Sequence, residues 1–329
     1  MSGLLISLVA GVLPMFLYAW FLYYLDRYEK EPRKRLAGMF LWGALIAAGG
    51  AFVINSISSR GIYLLTHSEF TTQLATSALI APVVEETLKG TAVLIVFLLF
   101  RPDYDSPLDG IVYAGIAALG FAATENVWYI HQFGFIPNGF SGLLDITLVR
   151  VILVGWQHPF YTAFIGLGFA LARDSKTVPR RIAFPFLGWC FAVGFHTLHN
   201  LFAVLTANPD GAGRLNLIWD WSGYFGLLIL ILLLIKREQN WMKNYLAPEV
   251  DRGVLDNHHY QIATSAWRQG FTFLRSLLKG NLSQVRRYYQ VSGDLMHKLR
   301  QVDFSNNKSA IYLEIERLRN ELLSRKEHI

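Results

Sequence analysis

A single cysteine, Cys190, occurs in the 329 residues, and it lies in an apolar stretch. An internal disulfide and a cysteine-based metal cage are therefore excluded. Charge is also scarce: Asp, Glu, Lys and Arg make up 16% of the chain, against 53% hydrophobic residues and a mean hydropathy of +0.32. Soluble domains carry about 25% charged residues, so the shortage points to a membrane protein. No basic segment precedes the first apolar run, Leu4 to Tyr24; its charges come after it, in DRYEKEPRKR. A cleavable signal peptide has the opposite order, and the run reads as a retained helix with its N-terminus outside. Internal repeats, low-complexity tracts and nucleic-acid-reading motifs are missing too. The basic residues of the polar C-terminal part are interleaved with acids, which gives a nucleic-acid partner no support.

What the sequence has in quantity is apolar runs near or above the ~20 residues needed to cross a bilayer. Seven can be drawn, at 4–24, 37–58, 72–100, 108–131, 143–172, 182–205 and 217–235. Lys and Arg collect on the cytoplasmic side of short connections, and here they alternate. Arg27, Lys30, Arg33, Lys34 and Arg35 fill the first connection, Arg173, Lys176, Arg180 and Arg181 the fifth, and Lys236 and Arg237 come directly after the last run. The second connection has only Arg60, the fourth has neither residue type, and the sixth has only Arg214; the third, with Arg101, falls inside by alternation. The expected fold is all-α: a polytopic membrane bundle of about seven helices over residues 1–236, then a cytoplasmic helical domain over 237–329. In that tail Ile311, Leu313, Ile315, Leu318 and Leu322 recur at near-helical spacing, and QIATSAWRQGFTFLRSLLKG reads as a second amphipathic helix. Its excess of Arg and Lys, including Arg286 and Arg287, suits anionic head groups and makes the lipid bilayer a partner.

Polar residues inside the runs carry the chemistry. The decapeptide APVVEETLKG puts Glu85, Glu86 and Lys89 at the middle of the third run. Each charge at that depth costs about 2.5–3.5 kcal/mol on insertion scales, so three together imply use. The fourth run holds Glu125 and Asn126, the fifth Arg150, Gln157 and His158, and the sixth His196, His199 and Asn200. At about 1.5 Å per residue, Glu85, His158 and His196 fall near mid-membrane, and Glu125 slightly nearer the outer face. Spacings of three and four let Lys89 reach either glutamate on one helix face, and put His196 and Asn200 one turn apart. Pro82 and Pro159 favour kinks beside these groups. A glutamate beside a histidine can take a proton from water and return it to a leaving amine, which would serve peptide hydrolysis. A proton relay of a transporter or channel is the alternative, although no paired halves are visible. Arg150, His67, His131, His258 and His259 read as interfacial or solvated.

EExxK at Glu85 to Lys89, FxxxE at Phe121 to Glu125 and HxxxN at His196 to Asn200, in that order on separate runs, resemble the PrsW family of intramembrane proteases. DRYEKEP and HPFYTAFIG resemble family segments as well, so the likeness runs from about Leu4 to Ile235. The wider group includes the CAAX prenyl endopeptidases, with EExxxR, FxxxH and HxxxN. The resemblance implies Glu85 as the base that activates water, Glu86 and Lys89 as its neighbours, and His196 and Asn200 as oxyanion stabilisers. Glu125 stands where the prenyl endopeptidases have histidine, and His158 is the candidate to restore that imidazole. It also implies a bacterial cytoplasmic-membrane location and a membrane-protein substrate, anti-sigma-factor-like, in stress signalling. The reading favours a metal-free glutamate mechanism, with zinc on Glu85, Glu125, His158 and His196 as the alternative.

Overall fold

The computed structural model describes residues 2–101, 104–205, 213–304 and 308–326. Parts of the third and sixth predicted connections, and the Arg214 side chain, lie outside the described residues. The chain is about 90% helical, with no strand among the described residues. It divides into two compact units: Met1–Leu25 with Glu31–Leu230, and Asp26–Lys30 with Ile231–Ile329.

The first unit begins with α1 (Ser2–Leu25), α2 (Arg33–Leu41), a π-helical stretch Trp42–Ala47, and α3 (Ala48–Thr66). A short α4 (Glu69–Gln73) passes through a second π-helical stretch, Leu74–Ile80, into α5 (Ala81–Leu99). Helix α6 (Pro107–Tyr129) is the centre of the unit. Ser106 starts it with a capping box: its hydroxyl accepts from the Asp109 backbone N–H, and Asp109 accepts from the Ser106 backbone N–H at 2.6 Å. Its small residues, from Ala114 to Ala123, are buried on all sides. They allow close approach: a Cβ on Gly110 would strike the Gly166 carbonyl of α8 (Gln157–Arg173), and one on Gly120 the Phe40 carbonyl of α2. Between α6 and α8 run the π stretch Ile130–Phe135, α7 (Ile136–Thr147) and the π stretch Leu148–Leu153. The direction reverses at Gly139, whose φ of 60° and ψ of −142° suit glycine alone. The fourth predicted connection is therefore helical up to a one-residue hinge. Helix α9 (Val178–Leu205) and the first part of α10 (Gly213–Asp251) complete the unit.

This unit is apolar outside as well as inside. Met15 and Leu22 of α1 are buried, while Leu5, Phe16 and Trp20 of the same helix are exposed, the pattern of a helix in lipid. Among the described residues five helical segments are long and apolar enough to cross a membrane: Ser2–Leu25, Arg33–Thr66, Pro107–Arg173, Val178–Leu205 and Asn216–Asp251. The protein is a multi-pass membrane helix bundle. The seven runs drawn from sequence differ from these segments in two places. Pro107–Arg173 spans 67 residues and contains two of the drawn runs. The run at 72–100 carries Glu85, Glu86 and Lys89, and is too highly charged to count among these segments.

The second unit has its own core. Tyr28 packs there with Met242 and Leu246 of α10, Tyr288 and Leu295 of α13 (Leu282–Phe304), and Ile315, Leu318 and Leu322 of α14 (Lys308–Arg325). Leu313, expected on the same face of α14, is exposed instead, because it lies half a turn from Ile315. The other expected amphipathic helix is divided. Helix α11 (Asn257–Ala263) ends before Thr264, and Ser265 caps α12 (Ala266–Leu278) by accepting from the Arg268 N–H.

Candidate active site

The π stretch before α5 sets up the site. In that register the Ala81 N–H reaches back five residues to the Thr76 carbonyl, so the next donor would serve Ser77. The next residue is Pro82, which has no N–H. The Ser77 carbonyl is filled from α9, where the Asn200 amide donates to it at 2.7 Å. Asn200 thereby ties α9 to the irregular turn just before the Glu85 helix.

One turn further, α5 turns Glu85, Glu86 and Lys89 inward; all three are buried. Glu86 is fully engaged. One oxygen accepts from Lys89 Nζ at 2.7 Å and lies 3.0 Å from His196 Nδ1, and the other accepts from the Thr162 hydroxyl at 2.8 Å. Lys89 Nζ also approaches His158 Nδ1 at 3.1 Å and sits 4.2 Å over the Phe121 ring. Since an ammonium only donates, His158 accepts at Nδ1, and its Nε2–H donates to Glu125 at 2.9 Å. His196 donates from Nδ1 to Glu86, which leaves the Nε2 lone pair facing Glu85 Oε2 at 3.8 Å. That Glu85 oxygen is 3.7 Å from Lys89 Nζ and accepts no hydrogen bond. Tyr161 stacks on His196 with ring centroids 4.8 Å apart, and the two imidazoles cross at 82°. These contacts hold both rings in place.

The structure thus gathers Glu85, Glu86, Lys89, Glu125, His158 and His196 into one network and puts Asn200 beside it. It also corrects the reading of Arg150 as interfacial. From the π stretch Leu148–Leu153, Arg150 donates to Glu125 at 2.6 Å and to the Asn126 side chain at 3.2 Å, over the face of Tyr129. Glu125 alone would have suggested a buried cationic partner; the sequence signal was there. Thr162 was also missed, though it lies one turn beyond His158. His199 turns away from the network. It lies 2.9 Å from Asp220 of α10, and Gln157 donates to the same carboxylate at 3.1 Å. Asp220, an acid amid the apolar IWDWSG, was a visible signal too. A separate groove lined by Phe160, Phe164, Phe195, Trp219 and Leu227 is apolar and holds no acid or base.

The donor set also fits a divalent metal. Glu85, His158 and His196 each offer a ligand atom within 4.8 Å of the others, a His, His, carboxylate set typical of catalytic zinc. The partnerless Glu85 oxygen and the free His196 nitrogen are its natural donors, and Glu86 would orient His196 from the far side of the ring. Both nitrogens of His158 are engaged, so it would have to release Lys89 or Glu125 to join them.

Fold and site together define a polytopic membrane protein with an acid, base and imidazole cluster enclosed by its helices. The family model described as PrsW family intramembrane metalloprotease matches residues 31–235, and the chain belongs to that family. Relatives named Protease PrsW include one from Geobacillus kaustophilus, 27% identical over 241 residues, covering 73% of this chain and 93% of the relative. Another, from Oceanobacillus iheyensis, is 27% identical over 175 residues, 53% of this chain and 73% of the relative. The Bacillus subtilis protein is 26% identical over 171 residues, 52% and 71% respectively. No solved structure matches. Family membership makes this chain an intramembrane protease.

Proposed function

We propose that Glu85 takes the proton from the attacking water and that Glu86, Lys89, His196 and Asn200 organise the reaction around it. The observation that carries this reading is the contrast between the two glutamates. Glu86 has both oxygens occupied, whereas Glu85 Oε2 is buried without a hydrogen-bond partner, 3.8 Å from a free imidazole nitrogen. A base needs an open lone pair and a neighbour to hold the substrate oxygen. Lys89 balances the charge of Glu86. His196, steadied by Glu86 and Tyr161, faces the reacting atoms. The Asn200 amide has a second hydrogen beyond the one given to Ser77, and that hydrogen can stabilise an oxyanion. Glu125, held by Arg150, orients His158. A divalent metal on Glu85, His158 and His196 would supply Lewis acidity to the water or the scissile carbonyl.

The substrate in this proposal is a membrane protein with a single span, of the anti-sigma-factor kind, cleaved at the start of a stress response. The location is the bacterial cytoplasmic membrane, with the N-terminus outside and the tail in the cytoplasm, as the distribution of Lys and Arg supports. The test is cleavage of candidate single-span proteins by the purified chain in liposomes. Wild type should cut, and Glu85→Ala and His196→Ala should not. Proton flux without cleavage would replace the proposal with the transporter reading.

A further inference from the structure

The active site leaves one conspicuous surface of the second unit unused. On α12, Trp267, Phe271, Leu274 and Leu278 succeed one another by four, three and four residues, so they form a single stripe along the helix. They are 78%, 65%, 58% and 83% exposed. The inward face holds Gln269 and Ser276, which are 1% and 5% exposed, and the partly buried Phe273, which packs against the core of the unit. A helix on a water-soluble domain turns its main apolar stripe to the core, whereas here the longer stripe faces outward and Phe273 alone of the large apolar residues packs inward. Isolated exposed apolar residues are ordinary, but a contiguous aromatic and aliphatic stripe marks a binding surface.

Charge identifies the occupant. Acids and bases mix over the tail as a whole, but from Asn257 to Gly293 there is no Asp or Glu, while Arg268, Arg275, Lys279, Arg286 and Arg287 all fall there. Arg268, Arg275 and Lys279 each come one position after a stripe residue, so they line one margin of the stripe about a quarter-turn round. From that margin their stems can lie along apolar material while their heads reach phosphates. A second copy of the chain would bring two surfaces of the same sign together. An anionic lipid surface complements both the stripe and its margin, and the tail is covalently continuous with an apolar span through α10.

We propose that α12 is an interfacial helix that docks on the anionic leaflet of the membrane holding the chain, its stripe at the head-group and acyl boundary. The proposal is independent of the protease chemistry, since it concerns residues beyond the 31–235 family match.

The test uses the full chain with Cys190→Ser and one new cysteine, Phe271→Cys, carrying an environment-sensitive fluorophore. Leu313→Cys, at an exposed apolar position on α14 of the same unit, is the control. Both are reconstituted in phosphatidylcholine vesicles with and without phosphatidylglycerol, with spin-labelled lipid or aqueous iodide as quencher. The expected result at position 271 is several-fold stronger quenching by lipid and weaker quenching by iodide than at 313, enhanced by phosphatidylglycerol. Arg268→Gln, Arg275→Gln and Lys279→Gln together should remove the enhancement. Equal quenching at 271 and 313 in both lipids would overturn the proposal. So would protection that grows with protein density and shows no lipid quenching, the mark of a second copy.

Discussion

Arg150 Nη2 lies 2.6 Å from Glu125 Oε2, and the same carboxylate oxygen receives the Nε2–H of His158. One partly buried ion pair thus sets the tautomer and direction of an imidazole whose other nitrogen faces Lys89. Arg150 acts through Glu125. Arg150→Ala should lower turnover at least tenfold and destabilise the protein by about 1–3 kcal/mol, the range for an uncompensated charge-assisted bond. Arg150→Lys should recover part of the stability, and Arg150→Ala with Glu125→Gln should cost less than the two single changes added. Melting of the detergent-solubilised variants, in a double-mutant cycle, measures this.

Asn200 and Pro82 should couple through the Ser77 carbonyl. Asn200→Ala leaves the Ser77 carbonyl unsatisfied, at about 1–2 kcal/mol. Pro82→Ala restores a backbone N–H that can bond that carbonyl, so Asn200→Ala should cost measurably less in that background. Equal costs in both backgrounds would separate Asn200 from the irregular turn.

Metal content gives a readout that does not depend on turnover. If Glu85, His158 and His196 hold a divalent ion, the purified chain should contain about one equivalent. Elemental analysis should find it lost from Glu85→Ala and His196→Ala and retained in His199→Ala, since His199 faces Asp220. A metal-free wild type, active in the presence of chelator, would leave Glu85 to act on water alone.

Much of this site was legible from residue type and spacing. Charges and imidazoles in apolar runs are costly, so their presence was already a statement about function, and helical periodicity placed them on common faces. Glu125 signalled a cationic partner, but that Arg150 supplies it, and that Asn200 reaches Ser77, were not legible, for a geometric reason. Each depends on a π-helical stretch, Leu148–Leu153 or Leu74–Ile80, which adds a residue to the turn and rotates every side chain beyond it. Counting at 3.6 residues per turn cannot anticipate that shift. The reversal at Gly139 was hidden similarly: a single glycine did the work expected of a loop. In the tail, periodicity found α12 and could not tell which of its faces turns inward.

The tail also carries a pH dependence. Burial raises the Asp294 carboxyl from its ordinary value near 3.8 to about 6, against the opposing pull of Arg287. A raised carboxyl binds its proton more tightly in the folded state, so its contribution is complete below about pH 4 and is lost as pH rises through about 6. The second unit should therefore lose stability between those values, and Asp294→Asn should flatten the loss. Hydrogen exchange of α13 amides across this pH window reports it.

The most direct test of the account compares Glu85→Gln with Glu86→Gln in liposomes, measuring cleavage of a single-span substrate and thermal unfolding side by side. Glu85→Gln should unfold at the wild-type temperature and cleave at least a hundredfold more slowly, the scale of a lost general base. Glu86→Gln, which weakens the contacts to Lys89 and His196, should unfold earlier. A folded Glu85→Gln that cleaves at the wild-type rate would contradict the assignment of Glu85 as the base.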